Sequence, residues 1–318
     1  DFDYHRFGGT FSGPVVLPKL YNGKNKTFFM IGGESILETR PRGAILTVPD
    51  AAQRRGDFSS LLRLGAGYQI YDPATRTPAP GGLFPSQLSP GNIVPASRIN
   101  ATARQLLNFH ALPSDPGTAD GRNNLQLPNL PEPITYYTLT GRMDHNFTER
   151  TRVYVRGSGY LRDSNYDDFF SSIATGQYFQ FDSKSGAVDG VHTFSPTLVL
   201  NVRAGYNRYI RITDADPGSR GIDLSTLGFP ASYNNLVDPR VRRFPVINIG
   251  GYTSTYNGTL FRPTDTAMAL ASMDKLAGKH TLKFGMEYRA YIENQYADDN
   301  VSTGSFTFDS SWTRGPLN

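Results

Sequence analysis

The sequence predicts an all-β chain, a meander of about nine antiparallel strands with long connections at one end only, and three observations carry that prediction. The first is alternation. In Leu198 to Asn207, the residues Leu198, Leu200, Val202, Ala204 and Tyr206 fall on one face, and Asn201, Arg203, Gly205 and Asn207 on the other. Successive strand side chains point to opposite sides, so this segment separates an apolar from a polar medium. The second is the rhythm: such segments come in pairs that meet at tight turns, and long polar stretches separate the pairs. The third is composition, with 32 Gly, 22 Pro, 18 Tyr and 20 Phe in 318 residues, which favours turns and strands over helices. Short turns at one rim and long loops at the other describe the wall of a transmembrane β-barrel, here an incomplete one.

The elements follow in order. Phe7 to Leu17 reads as the first strand, the Asn22-Gly23 region as a turn, and Lys26 to Glu38 as the returning strand. Arg40 to Pro133 is rich in Pro, Gly, Asn and Ser and reads as the first large outer loop. Within it, Asn100 caps one short loop helix with Ala103, Leu106, Leu107 and His110 at helical spacing. Tyr137 to Phe147 alternates again and turns through Thr148-Glu149-Arg150 into Thr151 to Leu161. Phe181 to Phe194 meets Leu198 to Ile210 across Ser195-Pro196-Thr197. Ile212 to Arg262 is the second large loop. Thr264 to Ala277 and His280 to Tyr291 form a hairpin over Gly278-Lys279, and a last strand is expected near Gly304 to Phe308. In a barrel such long loops are natural, because the outer rim faces open solvent.

Composition excludes several classes. No stretch approaches the length of continuous apolar residues that a membrane helix needs, a test that does not bear on barrel strands. The net charge of +4 is small and the basic residues are scattered, so no nucleic-acid partner is expected. With no Cys there is no disulfide scaffold and no thiolate site, as suits an envelope protein. Neither the start at Asp1 nor the Gly-Pro end looks like a natural terminus, and the chain is expected to be a piece of a larger protein, with the plug and periplasmic domains outside this piece.

Six stretches carry a family resemblance: FGGTFSGPVVLPKLYNGKNKTFFM (Phe7 to Met30), VPDAAQRRGDFSSL (Val48 to Leu61), IYDPATRTP (Ile70 to Pro78), NIVPASRINATARQLLNF (Asn92 to Phe109), RMDHNFTERTRVYVR (Arg142 to Arg156) and GKHTLKFGMEYR (Gly278 to Arg289). They run through most of the chain, and it resembles the TonB-dependent, Oar-like outer-membrane receptors of Acidobacteria. The resemblance implies a large barrel, 22-stranded in such transporters, with a plug inside it and often a carboxypeptidase-regulatory-like sandwich before the plug. It also implies a receptor in the bacterial outer membrane whose partners are outer-membrane lipid, a TonB energy-coupling complex acting through the plug, and a large solute. All of residues 1–318 would then be barrel domain, with outer loops at about 40–133 and 212–262.

Most chemical motifs dissolve on inspection. His5, His110, His145, His192 and His280 have no ligand spacing, so no metal or cofactor is expected. Asp144 and His145 are strand neighbours on opposite faces and cannot form a catalytic pair. Asp167-Asp168 and Asp298-Asp299 lack a calcium-loop pattern and read as solvated acids. Gly8 to Gly13 lacks the Gly-Lys-Ser/Thr of a phosphate loop, and Arg55-Gly56-Asp57 is an adhesion tripeptide by letter only. Asn-x-Ser/Thr triplets at Asn25, Asn100, Asn146, Asn257 and Asn300 are chance matches. No catalytic residues are assigned, and no enzyme activity is expected.

Two sets of residues remain. Arg142, Asp144, Arg152, Arg156, Arg203, Lys283, Glu287 and Arg289 would face the lumen if the apolar faces meet lipid, where they would pair with one another or with the plug. Tyr166, Phe169, Phe170, Tyr178, Phe179, Tyr233, Tyr252 and Tyr256 are expected in outer loops, where they suit stacking on a sugar or a siderophore-like ligand, or simple loop packing. The competing expectation is a secreted β-rich carbohydrate-binding or adhesion module, in which a second sheet would cover the apolar faces.

Overall fold

The computed structural model describes residues 2–79, 82–85, 89–256, 258–298 and 303–315. Nine strands form one antiparallel sheet: β1 (Asp3–Pro14), β2 (Thr27–Leu46), β3 (Leu125–Thr148), β4 (Thr151–Tyr166), β5 (Gln177–Ser195), β6 (Leu198–Ala215), β7 (Thr259–Ala277), β8 (His280–Glu293) and β9 (Tyr296–Asp298). From β1 to β8 each strand pairs with its neighbours in sequence, and β9 pairs with the outer end of β7. Among the described residues β1 and β8 are the edges of this meander. Tight turns join β3 to β4, β5 to β6 and β7 to β8; in the last, Gly278 sits at φ +59°, a conformation that a side chain disfavours.

The strands run further than the expected alternating segments. β3 has 24 residues and β2 has 20, about twice what crosses a hydrocarbon core. The first loop therefore spans 47–124 rather than 40–133, and the second 216–258 rather than 212–262. Prolines explain the discrepancy. Pro41 lies opposite Pro131 in a part of the β2–β3 pair that neither β1 nor β4 reaches, and Pro133, opposite Thr39, lies just beyond the reach of β4. This two-stranded ribbon has free edges on both sides, where a proline's missing donor is tolerated.

The buried apolar core lies in the loop layer, not in the sheet. Val48, Leu106, Leu125, Phe170, Ala174, Leu224, Leu227, Phe244 and Ile247 form one cluster, with Phe109, Phe229, Tyr233 and Phe306 packed around it. Helix α1 (Ala101–Leu107) contributes Leu106, and Asn100 caps it by accepting from the Thr102 and Ala103 N–H groups at 2.8 and 3.2 Å. A second short helix, α2 (Ala231–Leu236), was not expected. Nor was the pairing of the terminal strand. Ser305–Phe308 lies parallel to Val246–Ile249 inside the loop layer, so it is not part of the wall, and β9 takes the ninth place.

Candidate functional site

Register divides the side chains of the sheet into two sets. One row crosses six strands as Phe29, Met143, Val155, Val188, Ala204 and Ala269 and reaches Tyr288 on β8; Ile31, Leu139, Val202, Phe284 and Met286 share that face. Protein does not cover these side chains: Leu139 is 61% exposed, Phe284 56% and Met286 77%. Among the described residues no second sheet covers this face, as a soluble sandwich would need. Soluble proteins rarely expose so continuous an apolar surface. No helix of the described residues is long and apolar enough to cross a membrane, so any crossing is made by strands.

These features coincide with a family match: the outer membrane beta barrel domain family matches residues 1–318. The chain belongs to that family. No curated protein matches it. As an outer-membrane barrel it resides in the bacterial outer membrane, its apolar face meets lipid, its short turns lie at the periplasmic rim and its long loops outside.

The opposite face of the barrel is polar, and the eight charged residues singled out above all fall on it. Another row crosses the wall one position away: Asp144, Tyr154, Asp189, Arg203, Leu270, Glu287. Arg142 donates from Nε and Nη2 to Asp144 at 2.7 Å each and lies over the Tyr154 ring, 3.7 Å from its centroid. Arg203 Nε donates to Asp189 at 2.6 Å, Lys283 lies 3.6 Å from Asp274, and Glu287 pairs with Arg289. Arg152 and Arg156 have no ion pair among the described residues. Asp144 and His145 do diverge: His145 lies on the lipid-side register, where Nδ1 meets Thr27 Oγ1 at 2.6 Å.

The aromatic candidates do not form one loop surface. Tyr166, Tyr178 and Phe179 are strand residues of β4 and β5, not loop residues. Phe170 is a core side chain with Phe169 packed beside it, so both rings serve the loop layer itself. Tyr233 stacks on Phe229 at 5.2 Å and donates to the Thr303 carbonyl at 2.7 Å. Tyr252 donates to Gln53 Oε1 at 3.1 Å, and its burial raises the phenol pKa. Tyr178 donates to Asp163 at 2.7 Å. Tyr166 meets Phe179 edge-on at 5.3 Å, and Phe179 and Tyr256 line a hollow of about 420 Å³ at the outer ends of β5, β6 and β7.

Arg211 and Thr213, which also line that hollow, are not among the expected site residues. The signal was available. They continue the parity of Arg203, Gly205, Asn207 and Tyr209 past Ile210, the end of the expected strand. Deeper on the same face, Tyr136 meets Tyr160 edge-on at 5.2 Å and Phe181 stacks with Tyr209 at 6.1 Å, an aromatic patch also missed.

Among the described residues no group of three or more potential ligands is arranged for a metal ion. Asp167 is held by Arg42 and Gln177, while burial, reinforced by Asp216, raises the Asp168 pKa. Asp299, Asn257 and Asn300 lie outside the described residues.

Proposed function

We propose that this barrel domain is part of the wall of a TonB-dependent, Oar-like receptor that captures a large solute at its outer loops and passes it through the lumen. The observation that carries the proposal is the loop layer. Connections 47–124 and 216–258 share one buried core, so the outer rim holds an ordered surface rather than loose ribbons. Beneath it the polar wall presents paired charges and the Tyr136, Tyr160, Phe181 and Tyr209 rings, a lining that suits a glycan, a siderophore or another solute with ring faces and hydroxyls. Energy would come from a TonB complex pulling on a plug, and no bond would be made or broken by the barrel, which makes it a transporter and not an enzyme.

The test is uptake by cells carrying the full-length protein, with and without a functional TonB complex. Accumulation that stops when the complex is removed supports the proposal. Accumulation unchanged by that removal marks a passive pore instead.

A further inference from the structure

We infer that the hollow between the outer ends of β5, β6 and β7 is a binding site for a small solute carrying a carboxylate. Its wall combines Arg211, Thr213 and Phe179 from the strands with Tyr256 from the second loop, around about 420 Å³, enough for a compact ring-bearing molecule. The register sets Thr213 opposite Phe179 and Arg211 opposite Phe181, so all of them share the polar face of the sheet.

The wall holds unused hydrogen-bonding groups. Thr213 is only 7% exposed, yet its Oγ1 finds no hydrogen-bond partner among the described residues, and neither does the buried Arg211 Nε. Native proteins rarely leave such groups unpaired, and a pair of them on one hollow points to a ligand that completes them. The charge balance says which kind. Arg211 has no ion pair among the described residues. Its cross-strand neighbour Arg262 is already paired with Glu293 at 2.9 Å, which leaves no acid for Arg211 there. Asp214 lies on the other face and is saturated by Arg243, Arg220 and Thr259. A guanidinium without an ion pair takes a planar two-oxygen anion in parallel hydrogen bonds, and the Thr213 hydroxyl adds a further donor. Phe179 and Tyr256 then offer apolar wall to the rest of the molecule.

This names a solute class for the capture layer and rests on the receptor reading only for access from outside. The experiment uses the full-length protein purified from outer membranes in detergent, with benzoate as probe and benzamide as its uncharged isostere, followed by calorimetry. Benzoate is expected to bind at least tenfold more tightly than benzamide. Arg211→Gln should erase that preference, Thr213→Val should weaken benzoate several-fold, and Thr213→Ser should restore it. Arg240→Gln, at an exposed loop arginine paired with Asp238 and away from the hollow, should change nothing. Heat-modifiable gel mobility of every variant reports whether the barrel is intact. Equal affinity for the two probes, or a benzoate affinity unmoved in an intact Arg211→Gln barrel, overturns the inference. TonB-independent uptake alongside Arg211-dependent binding would instead refute the receptor reading and leave the site standing.

Discussion

Replacing Val202 by Arg tests the two-faced wall directly. Val202 is the fifth residue of β6, so at about 3.3 Å per residue and a tilt of about 40° it sits on the order of 10 Å above the periplasmic end, near the middle of an apolar band about 25 Å tall. Its neighbours across the ladder are Gly190 and Ala271, and it is 44% exposed, so a guanidinium there has no side chain to shelter it. Arg at mid-bilayer costs about 2–4 kcal/mol, or about 30- to 900-fold in the unfolding equilibrium. Thr140→Arg is the matched control. Thr140 lies on the polar face beside Gly8 and Gly32, in a concavity of about 670 Å³ that can admit the longer chain. It should stay within about 0.5 kcal/mol of wild type. The assay is reversible urea unfolding of the full-length protein in phospholipid vesicles. If Val202→Arg also stays within about 0.5 kcal/mol, or if Thr140→Arg is equally damaging, the assignment of lipid to the apolar face is wrong.

The loop layer yields three further expectations. Asp214 accepts from Arg243 at 2.8 and 3.1 Å, from Arg220 at 2.7 Å and from Thr259 at 2.9 Å, so Asp214→Ala strands a buried guanidinium and should cost the layer about 3–5 kcal/mol, seen as faster proteolysis of 216–258. Phe244 is fully buried, and Phe244→Ala should cost about 3–5 kcal/mol by the same readout while leaving gel mobility of the wall unchanged. Burial lowers the His110 pKa from 6.5 to about 4. Because the folded imidazole resists a proton that the unfolded chain accepts, stability is full above pH 6.5 and falls as the pH drops towards 4, by about 3 kcal/mol at most. Hydrogen exchange in α1 should rise over that window, and His110→Phe should flatten the response; an equal response in the variant would assign it to another group.

What the sequence makes legible is the part of the fold with a different medium on each side. Leu198 to Tyr206 and Leu282 to Ile292 alternate because hydrocarbon penalises every second position, and the register then reproduces those faces residue by residue. Past the lipid that penalty stops, and so does the signal. Leu125 to Pro133 reads as loop because its prolines break the usual strand composition, yet a two-stranded ribbon accepts them at its free edges. The aromatic candidates fail as a group for a related reason. Phe170 and Tyr233 look no different in sequence from Phe179 and Tyr256, because a ring that fills a loop core and a ring that lines a hollow follow the same local pattern. Only long-range packing separates them, since the core draws on residues as distant as Val48, Leu125 and Phe244. Arg211 and Thr213 lie between the two cases. Their parity with Arg203 is written in the chain, but that Arg211 has no ion pair and Thr213 Oγ1 no hydrogen bond among the described residues follows from where Arg262, Glu293 and Asp214 come to rest. In a barrel wall, alternation says which way a side chain points, and the loops above decide whether anything is left there to bind.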